Sequence, residues 1–146
     1  MYTIWKRSVP HPTIATFDTP GRSFCSVRRQ ETNTPLQALV MMNDPTYIEA
    51  SRVLGYKMLS FNDPKGGISD VFKRLTGRSI TKDELKLLLG LQLHEYEKFK
   101  SREYKTEGWL NTGEFRISGN NSKAMVAANA VVASTIINSD AAITKR

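Results

Sequence analysis

A chain of 146 residues, 40% hydrophobic and 24% charged, is long enough to bury a core without cross-links and too apolar to stay disordered. Its net charge of +7 favours solubility and would attract nucleic acid, anionic lipid or acidic polymer without choosing among them. Cys25 is the only cysteine, which excludes an internal disulfide, a paired-cysteine zinc site and covalent haem attachment through Cys-x-x-Cys-His.

Residues 1–33 hold no sustained helical or strand period, and Pro10, Pro12, Pro20 and Gly21 sit where a backbone turns. An extended, mostly irregular segment packed on the core is expected. Lys6, Arg7, Arg22, Arg28 and Arg29 face Asp18 alone within residues 1–30, so the segment is locally basic. Ordering such charges is costly unless they pair with one another or with backbone groups. Asp18, Arg22, Arg28, Arg29 and Glu31 are therefore expected to form a salt-bridged staple. The alternative joins the same arginines to Trp5, Phe17 and Phe24 in a binding face. There, guanidinium forks would grip carboxylate or sulfate while rings stack on sugar.

Two other groups in this segment invite a chemical reading. His11, held extended between two prolines, could act as an axial haem ligand or an acid–base group, but a structural or surface histidine is the commoner case. Cys25 lies near Arg28 and Arg29, cations that lower a thiol pKa. A buried structural cysteine is preferred, because no base of fixed position can be named.

Regular structure is expected from residue 34. Thr34 can cap free amides, Pro35 suits the first helical position and Gln37 sits where a capping-box partner belongs. Leu36, Leu39 and Val40 form the apolar stripe. Asn43-Asp44-Pro45 interrupts this helix. Asp44 is placed to cap a second one, running to about Leu59 with Tyr47, Ala50, Leu54 and Met58 on one face. Asn33, Gln37, Asn43 and Asp44 resemble a polar site, yet capping explains them without a ligand.

Asn62-Asp63-Pro64 and Gly66-Gly67 are expected to end the second helix. Ile68, Val71, Phe72 and Leu75 then mark a short amphipathic helix, closed by Gly77 in a left-handed conformation. Thr81 and Glu84 form another capping box and open a longer helix with Leu85, Leu88, Leu89, Tyr96 and Phe99 on one face. Leu87 and Leu91 widen its buried stripe, and His94 reads as structural. Residues 101–121, with Gly108, Gly113 and Gly119, are expected to be a long loop. Residues 122–138 are rich in Ala124, Ala127, Ala128, Val131 and Ala133, which permit close helix approach, and should form the central helix. Its uncharged run is shorter than the roughly 20 residues a bilayer span needs.

The sum is all-α: an irregular helical bundle of about five helices over residues 34–146, preceded by the extended segment 1–33, the two forming one domain. There is no phosphate loop, His-Glu-x-x-His pattern, Gly-x-Ser-x-Gly elbow or dinucleotide fingerprint. No metal or cofactor is expected in this chain.

One resemblance is specific. Trp5-Lys6-Arg7, Val9-Pro10-His11-Pro12, Phe17-Asp18-Thr19-Pro20-Gly21-Arg22, Cys25-Ser26-Val27-Arg28-Arg29, Thr32-Asn33-Thr34-Pro35-Leu36-Gln37 and Asn43-Asp44-Pro45 occur in succession. This order resembles the C-terminal part of the domain of unknown function in planctomycete-type cytochrome c proteins. Arg74-Leu75-Thr76-Gly77-Arg78, Thr81-Lys82-Asp83-Glu84-Leu85 and Ile137-Asn138-Ser139-Asp140 extend it, most weakly over residues 100–121. Members of that family usually continue the last motif with an acid and an aromatic, where Ala141 and Ala142 stand here.

The resemblance implies a periplasmic or extracellular protein, with its export signal, a companion domain and often c-type haem upstream. The resemblance is to a family and not to a reaction; the expected role is a non-catalytic accessory module, its basic segment clamped to the bundle, with those upstream domains of the same polypeptide as partners. The alternative is part of an enzyme acting on acidic or sulfated polysaccharide, with the arginine-rich segment in its site. Nucleic-acid binding rests on net charge alone and is not expected.

Overall fold

A computed structural model describes residues 9–21, 25, 27–28, 32–101, 106–116 and 122–143. Among these residues all regular structure is helical, in eight helices. Five of them have nine or more residues, α2 (Pro35–Asn43), α3 (Pro45–Met58), α4 (Pro64–Thr76), α5 (Lys82–Lys100) and α7 (Lys123–Ile137), matching the predicted bundle. The others, α1 (Pro12–Thr16), α6 (Thr106–Leu110) and α8 (Asp140–Ile143), are about one turn each. By its contacts the chain divides into two compact units, Met1–Val40 and Met41–Arg146.

In the first unit, α1 interrupts the expected irregular segment. Pro12 presets the helical φ and has no amide to leave unpaired, while His11 ahead of it is extended, with φ −62° and ψ 129°. Thr16 Oγ1 donates back to the Pro12 carbonyl at 3.0 Å and Thr19 Oγ1 to Ile14 at 2.8 Å. Between them Asp18 takes φ 53°, a left-handed value that a short polar side chain tolerates. α2 opens with the predicted capping box: Gln37 N donates to Thr34 Oγ1 at 3.4 Å, and Thr34 N donates to Gln37 Oε1 at 3.2 Å. The expected stripe is reversed, because Leu36 and Leu39 are 55% and 56% exposed whereas Gln37 is 8% exposed.

The second unit is built around α7, which packs most extensively on α3 and α5 and also meets α4, α6 and α8. Its alanines let neighbours approach closely: Ala127, Ala128, Ala130 and Ala133 are wholly buried. Met58, Ile68, Val71, Phe72, Val132 and Ile136 form one apolar cluster, and Phe99 with Ala127 and Ala128 forms another. Burying each such large side chain is worth about 1.5–3 kcal/mol.

Several local expectations are corrected here. Gly66 and Gly67 lie inside α4, whose N-cap is Asp63, with Oδ1 accepting from Lys65 N at 3.1 Å. Gly67 serves packing, since a Cβ there would stand 2.8 Å from the Met58 carbonyl oxygen. On α3, Ala50 is exposed and the buried residues are Ser51, Arg52, Gly55 and Met58. Leu87 on α5 is 74% exposed, and α6 interrupts the expected loop. Asp44 caps α3 as predicted, Oδ1 accepting from Thr46 N at 2.9 Å, and Gly77 ends α4 at φ 74°.

Candidate functional site

Of the candidate residues, Asp18 and Gln37 are brought together. Asp18 Oδ2 accepts from the amide of Thr32 at 2.8 Å and from its hydroxyl at 2.7 Å. Gln37 Nε2 shares its two hydrogens among the Thr16 carbonyl at 3.0 Å, Thr32 Oγ1 at 3.3 Å and Asp18 Oδ2 at 3.4 Å. One buried amide thus ties the end of α1, the Asp18 turn and the residues before α2 into a polar knot. The bonds from Thr32, side chain first and then backbone, hold the Asp18 carboxyl below its ordinary pKa, with Gln37 adding to them. The described partners of this carboxylate are hydroxyl and amide groups, and Arg22, Arg29 and Glu31 of the expected staple lie outside the described residues.

The other candidates are more dispersed. His11, Cys25, Arg28 and Asn33 are exposed, so the thiol is not the buried structural cysteine that was expected. Asn43 closes α2 and Asp44 caps α3. Trp5, Arg7, Arg22, Phe24, Arg29 and Glu31 lie outside the described residues. Among the described residues no three His, Cys, Asp or Glu side chains are grouped to hold a metal ion. A lone cysteine does not fit covalent haem attachment. No described helix is long and apolar enough to cross a membrane.

In the second unit, three polar arrangements escaped sequence reasoning. Asn129, in the middle of α7, accepts from Gln92 Nε2 at 2.6 Å and donates to the Gly55 carbonyl at 3.1 Å, bridging α5 and α3 inside the core. Arg52 is 4% exposed and donates from Nη1 to the Leu110 carbonyl at 2.6 Å and from Nη2 to that of Phe115 at 2.5 Å. Glu49 accepts from Phe115 N at 2.6 Å and lies 3.8 Å from Arg52 Nη2, completing a clamp on residues 110–115. Asn129 and Gln92 were visible as polar residues within long apolar runs. Nothing comparable marked Arg52.

The third arrangement is a cleft where the starts of α5 and α8 meet the ends of α4 and α7. An apolar hollow of about 280 Å³ is lined by Phe72, Leu87, Leu88, Leu91 and Ile136. A polar hollow of about 510 Å³ shares Glu84, Ser139 and Ala141 with it and adds Arg78 and Asp140. Arg78 donates to both Glu84 oxygens, at 3.0 and 2.5 Å, and stands 4.8 Å from the Phe72 ring centre. The Arg78 guanidinium and then the Thr81 amide hold the Glu84 carboxyl at a pKa of about 2. Glu84 is therefore a fixed anion near neutrality and cannot serve as a general acid there.

These features define the class: an all-helical protein whose leading unit is knotted by one buried amide and whose larger unit is centred on an alanine-rich helix. The PSD1 family, described as proteins of unknown function (DUF1553), matches residues 1–91, and the chain belongs to that family. The match takes in the first unit, α3, α4 and the first half of α5. No curated protein and no solved structure matches the chain.

Proposed function

We propose that the chain is a non-catalytic accessory module of an exported multidomain protein, one often associated with cytochrome c, and that its first unit docks another domain of the same polypeptide. One observation carries this reading. The first unit turns the amide of Gln37 inward while leaving Val9, Val27, Leu36 and Leu39 exposed. Leu36 and Leu39, three residues apart on α2, share one face of that helix, and an exposed apolar face is what an interaction surface offers. Seating a leucine in a partner adds about 1.5–3 kcal/mol of burial. The export and cytochrome context come from the motif resemblance over residues 5–45.

The test uses the chain and its neighbouring domains as separate polypeptides, with binding followed by calorimetry. Leu36→Ser with Leu39→Ser should abolish binding while the thermal unfolding of the chain stays unchanged. No binding by the unmodified chain would overturn the docking role. Saturable binding of sulfated polysaccharide, lost on Arg28→Ala, would favour instead a site on an anionic polymer.

A further inference from the structure

We infer that α5 is a homotypic interface, pairing antiparallel with α5 of a second copy of this chain. The inference is independent of the docking role of the first unit and uses a different surface. On α5 the residues Asp83, Lys86, Gly90, Leu93, Glu97 and Lys100 are all exposed, and they recur at alternating intervals of three and four. That recurrence, close to 3.5 residues, is the spacing of a two-helix seam. Leu93 is 61% exposed, and Leu87, flanking the seam between Lys86 and Gly90, is 74% exposed. A Cβ added at Gly90 would meet nothing within 4 Å, so the seam has a leucine knob and an open hole on the same helix.

The order of residues along the seam selects the partner and its direction. About a two-fold axis between Leu91 and Gln92, an antiparallel copy sets Leu93 over the partner's Gly90 and Gly90 under the partner's Leu93. Lys86 then faces Glu97 of the partner subunit, and Asp83 faces Lys100 of the partner subunit. Each contact occurs twice, as a closed isologous dimer requires. Parallel pairing would stack aspartate on aspartate, lysine on lysine and glutamate on glutamate, and would leave the two Gly90 holes opposed and unfilled. Charge and shape therefore agree on one register. The charges choose that register and the leucines supply the burial. A seam with so few apolar layers gives a weak, salt-sensitive dimer.

The test is sedimentation of the full chain over a wide concentration range at low salt, with helicity and melting temperature checked for every variant. The expected result is a monomer–dimer equilibrium, abolished by Leu93→Lys and by Gly90→Leu. Lys86→Glu should raise the dissociation constant by about tenfold, since symmetry places the repulsive contact twice. Adding Glu97→Lys should restore dimerisation. A monomer at every concentration overturns the inference. So does a dimer indifferent to Leu93→Lys, and so does a loss on Lys86→Glu that Glu97→Lys fails to repair.

Discussion

Asn129 Nδ2 donates to the Gly55 carbonyl at 3.1 Å where α7 crosses α3. At that same crossing a Cβ on Gly55 would lie 2.6 Å from the Ala130 amide nitrogen. The hydrogen bond and the missing side chain depend on each other, because only backbone contact brings the amide and the carbonyl together. Gly55→Ala must push backbone from backbone, which no rotamer change relieves. It should cost about 1–3 kcal/mol as overpacking and more once the Asn129 bond stretches. Gly108→Ala, where an added Cβ meets nothing within 4 Å, should instead be neutral or gain about 0.4–1 kcal/mol. Urea unfolding of the two variants measures the contrast.

The amide of Asn129 also accepts from Gln92 Nε2, so its removal strands two buried groups. Asn129→Ala should cost about 2–6 kcal/mol, counting about 1–3 kcal/mol for each unsatisfied partner. Gln92→Leu in the same background should recover part of that loss by removing one stranded donor. A double-mutant cycle reads the coupling, and strict additivity would show that the two side chains do not share a bond in solution.

Gln37 and Asp18 form a comparable polar pair in the first unit, where the knot ties described residues far apart in sequence. Gln37→Glu puts a second carboxylate beside Asp18 and removes the donor that served the Thr16 carbonyl. Amide exchange at Thr32 should then speed up sharply near neutral pH. The Asp18 pKa is lowered on folding, so its contribution is fully present above its ordinary value of 3.8 and fades as the pH falls below it. Asp18→Asn should make the protection of Thr32, its exchange measured relative to the intrinsic rate, insensitive to pH in that acid range.

Arg52 holds residues 110–115 against α3, and Gly113 lets that segment pass close to Glu49 on the same helix. Gly113 has φ 89°, and a Cβ there would run into Glu49 Cδ, so Gly113→Ala combines backbone strain with displacement of the Glu49 carboxylate. Arg52→Lys supplies one ammonium where two carbonyls each take a guanidinium N–H, and is not conservative at this site. Both variants should open residues 111–116 to limited proteolysis while α4 and α5 stay protected. Protection of that segment in Arg52→Lys would show that the clamp is dispensable.

Punctuation was legible in the sequence, and burial was less so. Asp44, Asp63, Gly77 and the Thr81–Glu84 box announce helix ends through local chemistry that depends on a few neighbouring residues. Leu36 and Leu39 read as an apolar stripe and Leu87 as part of a buried one, because periodicity reports that a face is apolar, and what covers it is decided by distant chain. The reverse error hid Arg52, Ser51 and Gly55, which a hydrophobic pattern scores as solvent-facing although α7 and the 110–115 loop cover them. Gly66 and Gly67 read as breakers in the sequence, since a glycine that frees the backbone and one that permits close approach look identical until the neighbour of Gly67, Met58, is in place. Asp18 and Gln37 were each singled out from sequence. Their meeting through Thr32 depends on the Asp18 turn, which leaves no periodic signal.

Glu84 offers the sharpest test of pH dependence, because one carboxylate both caps α5 and binds Arg78. It accepts from Thr81 N and Thr81 Oγ1, each at 2.9 Å, as well as from the guanidinium. Its pKa falls from 4.5 to about 2 on folding, chiefly through Arg78. The stabilisation is therefore complete above pH 4.5 and disappears as the pH drops from 4.5 towards 2. The pair is only half-buried, so solvent screening keeps the gain to about 1 kcal/mol, near that of one cap. Glu84→Gln keeps a side-chain oxygen for the Thr81 amide and loses the ion pair, so the unmodified chain should be the more stable at neutral pH. That advantage should shrink steadily over the acid window, and molar salt at pH 7 should reduce it in the same way. Thr81→Ala removes the cap itself and should cost about 1 kcal/mol with little dependence on salt. A stability difference between the unmodified chain and Glu84→Gln that stays constant down to pH 2 would mean that the Arg78 contact contributes nothing, leaving capping as the whole role of this carboxylate.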